Sequence, residues 1–201
     1  MVERALPGFA AVPFAELLDR FAARTAAPGG GSAAAVACAL AGALVQRAAA
    51  FDIASESEAT AQRASALRDE ALELGERDLR AYAPVLDAFA LPADDDSRAT
   101  RIAAARSQAA GPPLAIAVAA VELAELAAGL ALRGNPHLTG DAVTAALIAE
   151  AACRSGVELV ELNLDAGSED PRRGQAQELA RRAAVARSRA VSSVVLAGGA
   201  V

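Results

Sequence analysis

Three short stretches carry residue types and spacings from which chemistry could be built. The first is Pro28-Gly29-Gly30-Gly31-Ser32, a run of three glycines leading into an alanine-rich segment. Glycine brings backbone N–H groups close to a ligand without side-chain obstruction. The start of a helix adds unpaired donors and partial positive charge. A carboxylate or a polarised oxygen could therefore bind there. The competing reading is a plain helix-to-helix turn built on positive φ angles. The second stretch holds Asp78 and Tyr82, four apart and so on one helical face. The third is Arg133-Gly134-Asn135-Pro136-His137-Leu138-Thr139-Gly140-Asp141, where Asp141 follows a glycine and opens a helix. A carboxyl held in a partly desolvated pocket has its pKa raised toward working pH and can move protons. On that argument Asp141 is the first candidate for acid–base work, with capping of its own helix as the structural alternative. His137, the lone histidine, reads as an exposed loop residue.

Some chemistries are excluded. Gly29 to Ala34 formally fits a dinucleotide fingerprint, but a helical pattern precedes it where a strand is required. The chain has no lysine, so a phosphate-binding P-loop and any lysine amine mechanism are out. Cys38 and Cys153 lie in apolar helical stretches and read as small buried hydrophobes. Two cysteines and one histidine cannot build a structural zinc site without carboxylates, and no metal is expected. A net charge of −6 argues against nucleic acid. Glu122 and Glu125 are expected to cover a helix face or pair with arginines.

The elements that must position these residues are helices. With 54% hydrophobic residues, mostly alanine, and 3% aromatics, the core should consist of closely approaching helices. No period-2 run suggests a strand. The expected order is Pro13–Arg24, Ser32–Phe51, a helix from Ser55 to Ala90 kinked at Pro84, Ser97–Ala110, Pro113–Arg133, a helix from Asp141 bent at Gly156, and an arginine-rich surface helix Pro171–Leu196. Ser55 and Glu58 have capping-box spacing. Alanines at 35, 39 and 43 should let another helix approach. The 201 residues then form a single all-α domain, a bundle of about six or seven long antiparallel helices. Ser32–Ala50 and Pro113–Leu132 resemble membrane spans but read better as buried helices. No leader is seen, and a cytoplasmic, non-membrane protein is expected.

Three segments, in order, resemble the cyclodeaminase/cyclohydrolase family, which contains the C-terminal domain of formiminotransferase-cyclodeaminase and stand-alone methenyltetrahydrofolate cyclohydrolases. They are APGGGSAAAVACALAGAL, RDLRAYAPVLDAFALP and RGNPHLTGDAVTAALIAEAACRSGVELVELNL. The likeness runs from about Phe14 to Asp165. It implies an all-α homodimer acting on a tetrahydrofolate derivative as substrate, with no bound cofactor. It implies one of two reactions: ring closure of the 5-formimino compound with loss of ammonia, or hydrolysis of the 5,10-methenyl compound. Carried over by position are Gly29, Gly30, Gly31, Ser32 and Asn135 for substrate binding, and Asp141, Asp78 and Tyr82 for catalysis. Leu91-Pro92 is followed here by Ala93 and three aspartates, where the family commonly has a lysine. Such a loop would repel an anionic folate tail. It supports the alternative of a non-catalytic helical dimer whose degenerate pocket binds a small molecule or a protein partner.

Overall fold

A computed structural model describes residues 8–54, 56–164 and 169–198. These residues form seven α-helices: α1 (Phe14–Ala22), α2 (Gly30–Ala50), α3 (Ser57–Phe89), α4 (Arg98–Ala109), α5 (Gly111–Arg133), α6 (Thr139–Asn163) and α7 (Pro171–Gly198). Single 3-10 turns at Phe9–Ala11 and Pro136–Leu138 complete the set, and no strand occurs among the described residues. The all-α bundle expected from composition is the observed fold. The capping role expected of Ser55 lies outside the described residues.

The core is built from alanine. Ala35, Cys38, Ala41 and Val45 of α2, Ala120, Leu123 and Ala127 of α5, and Ala145, Ala149 and Cys153 of α6 are fully buried. Side chains this small let backbones approach until only glycine fits. A Cβ on Gly156 would lie 2.6 Å from the Pro113 carbonyl oxygen. α6 runs unbroken through Gly156, which is small because α5 presses on it. α3 likewise continues through Pro84. α7 is not merely a surface helix, since Ala176, Leu179, Ala183, Ala186 and Ala190 are buried while its arginines face outward or pair. Burial pushes both cysteine thiols up to about 12, so they are protonated hydrophobes. Two stretches are long and apolar enough to cross a membrane, Gly30–Ala50 and Arg98–Arg133, but 50% and 56% of their most apolar windows are buried in the bundle.

The second half of α3 and α4 stand somewhat apart. Val85, Ala105 and Ala109 form a small core of their own, separate from the main one. The two helices make an arm whose inner face looks onto the start of α2 and the end of α6.

Candidate active site

Between the helices lies a cavity of about 450 Å³. Its volume falls in the range of small-ligand pockets. Five segments wall it, α5 contributing Pro113. The loop and first turn of α2 supply Gly29, Gly30 and Gly31. α3 supplies Asp78, Tyr82, Val85 and Phe89, which recur on one face. α4 supplies Arg106, and the end of α6 supplies Leu159, Leu162 and Asn163.

None of the described glycines has a positive φ, and Gly29 itself is extended, with φ −127° and ψ −154°. The glycine run is therefore not a turn that only glycine could adopt. Its glycines serve space, and each differs. A Cβ on Gly31 would fall 2.2 Å from Asp78 Oδ1, so this glycine exists to let the carboxyl in. A Cβ on Gly29 would meet nothing within 4 Å, and one on Gly30 only Leu159 at 3.8 Å. Those two leave room on the cavity side. Gly30 and Gly31 begin the helix, so their amides have no intrahelical acceptor. The expected helix start at Ser32 shifts to Gly30 for the same reason: the glycine backbone is already helical.

Asp78 is half-buried against this helix start. Ser32, fully buried, places its hydroxyl 3.3 Å from Asp78 Oδ2 and 3.3 Å from the Gly75 carbonyl oxygen, donating to one at a time. Burial pushes the Asp78 carboxyl above its ordinary 3.8, while hydrogen bonds from the Ser32 hydroxyl and amide pull it back. No ion pair involves Asp78 among the described residues. A desolvated carboxyl, held by a hydroxyl and bordered by a phenol and open backbone amides, is equipped to accept and return a proton.

Of the residues expected from sequence, the structure brings together Gly29, Gly30, Gly31, Ser32, Asp78 and Tyr82. It does not bring Asn135 or Asp141 to them. Those two sit at the far end of α2, where Arg47 Nε donates to Asp141 Oδ2 at 3.3 Å and Asn135 Nδ2 donates to the Phe51 carbonyl at 2.9 Å. Arg47 lies sixteen residues beyond Gly31 on a helix rising 1.5 Å per residue, hence about 24 Å away. Among the described residues, the cavity at the glycine run does not extend to Asp141 within one chain. The local chemistry explains the residues there: Asn135 Oδ1 accepts from the His137 amide at 3.0 Å and shapes the loop, and Asp141 opens α6. His137 is exposed, as expected. Glu122 and Glu125 pair with Arg63 and Arg182. Among the described residues no group of three metal-ligating side chains occurs.

Arg106 and Asn163 were not singled out by sequence reasoning. Val85 and Phe89 could have been, because they extend the Asp78–Tyr82 face by further helical turns. Nothing in the order of residues connects Arg106 to the glycine run; only the folded-back arm of α3 and α4 does. The acidic loop Asp94–Asp96 is not among the cavity walls.

An all-helical bundle with a walled pocket, a raised carboxyl and a bared helix start has the parts of a small-molecule site of acid–base type. The comparisons with known proteins give the particular family. The chain belongs to the formiminotransferase-cyclodeaminase family, whose model matches residues 13–182. It is 30% identical over 158 residues to a methenyltetrahydrofolate cyclohydrolase of Methylorubrum extorquens, covering 73% of this chain and 76% of that one. The fold is that of formiminotetrahydrofolate cyclodeaminase from Thermotoga maritima, with a TM-score of 0.79, 23% identity, and coverage of 92% of this chain and 96% of the other.

Proposed function

We propose that this chain hydrolyses 5,10-methenyltetrahydrofolate to the 10-formyl form in the cavity around Asp78. The observation that carries the reading is a half-buried, raised carboxyl beside open glycine backbone in a walled cavity of a member of this folate family. Hydrolysis is preferred to ring closure because the 30% identical relative bears the cyclohydrolase name.

The substrate carries a positive charge spread over N5, the bridging carbon and N10, which suits a carboxylate neighbour. Asp78 takes a proton as water adds to that carbon. The tetrahedral carbon then collapses to the formyl group. The bond to N5 breaks, N5 takes the proton from Asp78, and the hydroxyl proton leaves through Asp78 to solvent. One water is consumed and one proton released. The Gly30 and Gly31 amides offer donors to the developing oxygen, and Tyr82 offers a phenol at the same wall. Ser32 orients Asp78. No step calls for a metal or an organic cofactor. A cytoplasmic homodimer, implied by the family resemblance, is part of the proposal.

Loss of the absorbance of added 5,10-methenyltetrahydrofolate, faster than in buffer and abolished in Asp78→Asn, is the expected result. Appearance of that absorbance from 5-formiminotetrahydrofolate would instead assign the ring-closing reaction. No turnover of either compound, and no binding, would leave the non-catalytic helical dimer.

A further inference from the structure

The cavity is bipolar. Among the described residues, Asp78 is the only acidic one in its wall and Arg106 the only basic one; every other described lining side chain is uncharged. Most arginines near carboxylates in this chain pair with them, as Arg47, Arg63, Arg172 and Arg182 do. Arg106 makes no ion pair among the described residues. One Nη2 hydrogen donates to the Leu162 carbonyl at the end of α6. A guanidinium has five N–H donors, so the group is held in place with most of its capacity unused. Beside it stands the half-buried amide of Asn163.

We infer that Arg106 is the substrate-binding residue for the glutamate tail of the folate, and so sets preference for tailed over tailless substrates. This rests on the function proposed above. The cationic one-carbon centre belongs at Asp78, by opposite charge; a carboxylate elsewhere on the same ligand can then meet Arg106, whose planar fork suits it through two parallel hydrogen bonds. The chain has no lysine that could serve instead. The acidic loop does not line the cavity. Asp94–Asp96 precede α4, and Arg106 lies eight residues past its first residue, about 12 Å further along the axis. Asp95 is in addition engaged by the Ser97 amide and hydroxyl at 2.7 and 2.6 Å.

Calorimetric titration with 5-formyltetrahydrofolate and with 5-formyltetrahydropteroate, which lacks the glutamate, tests this. The wild-type chain is expected to bind the tailed compound about tenfold more tightly. In Arg106→Gln the ratio of the two dissociation constants falls to about one, through weaker binding of the tailed compound, and Arg106→Lys restores part of it. A ratio still near ten in Arg106→Gln, or a ratio near one in the wild type, overturns the assignment. So does equal weakening of both compounds in Arg106→Gln, which would mean only that the end of α6 had loosened. If the wild type turns over 5,10-methenyltetrahydrofolate while these ratios fail, the tail assignment falls and the function stands. If the wild type neither turns it over nor binds either probe, both fall together.

Discussion

The two ends of α2 each receive an aspartate from another helix, and the two aspartates are in opposite circumstances. At the amino end, Asp78 of α3 leans into a gap left by Gly31, touches a buried serine, and has no cation beside it. At the carboxyl end, Asp141 of α6 meets Arg47, whose guanidinium also lies 5.6 Å from the Phe51 ring centre, with the arginine exposed and the aspartate about one-third exposed. Burial without a charge partner raises a carboxyl's pKa and makes it a usable base; pairing in water leaves an ordinary ion pair of little energetic worth. Both were candidates in the linear sequence because both are acidic and near glycine. What separates them is which one the bundle desolvates.

The sharpest way to break the comparison is to neutralise Asp78. Asp78→Asn keeps the shape and removes the base, and turnover is expected to fall by about 10²–10⁴-fold. Stability should move the other way. The folded carboxyl holds its proton to a higher pH than the ordinary 3.8, so stability is greatest below that pKa and declines as pH rises through the folded value. Asparagine escapes this decline. At pH 7 the variant is expected to melt above wild type, with the difference narrowing toward pH 3, as thermal unfolding at the two pH values would show. The acid limb of turnover in the wild type should likewise lie above the ordinary aspartate range. A limb at or below it would mean that Asp78 is not the titrating base.

A smaller effect is expected from Gly31→Ala. The new methyl would sit 2.2 Å from Asp78 Oδ1 and must displace the carboxyl. We expect a loss of activity of about ten- to a hundredfold and about 1–3 kcal/mol of stability, the usual cost of overpacking. Gly29→Ala is its control. Its Cβ meets nothing, and its backbone is in the extended region open to any residue. Denaturation midpoints should be unchanged, with at most a few-fold rise in KM, since the methyl would project from a cavity-lining position. Equal damage from both substitutions would show that the run matters for backbone freedom and not for room.

Much of the fold was legible because alanine-rich, strand-poor sequence leaves few alternatives, and proline and glycine mark most helix ends. Errors came where packing decides. Gly156 reads as a bend in isolation and is a contact with α5 once the helices meet. Half of the site was legible for a local reason: Gly29–Ser32 are contiguous, and Asp78 and Tyr82 share a face by their spacing. That Asp78 would insert at Gly31, and that Asp141 would lie a helix length away, depends on how α3 and α6 flank α2. Neither is written in local pattern. Arg106 was illegible because its role comes from the arm formed by α3 and α4, not from its neighbours in the chain.

The smallest expected effect sharpens the comparison most. Asp141→Asn removes the charge that Arg47 meets in a largely solvated pair, so stability should change by less than about 1 kcal/mol. Turnover of 5,10-methenyltetrahydrofolate should stay within about twofold of wild type, because nothing at that end of α2 borders the cavity. Arg47→Ala should behave alike, and the two together should cost little more than either alone, since they remove one shared contact. A loss of tenfold or more in Asp141→Asn, with the melting temperature unmoved, would contradict a purely structural Asp141. A carboxyl about 24 Å along the helix from Gly31 could then act only if a second copy of the chain carried its own Asp141 to the mouth of this cavity, reversing the two ends of α2 between subunits. Mixing an Asp78→Asn chain with an Asp141→Asn chain would decide that case, because activity regained in the mixture requires one intact site built from both copies.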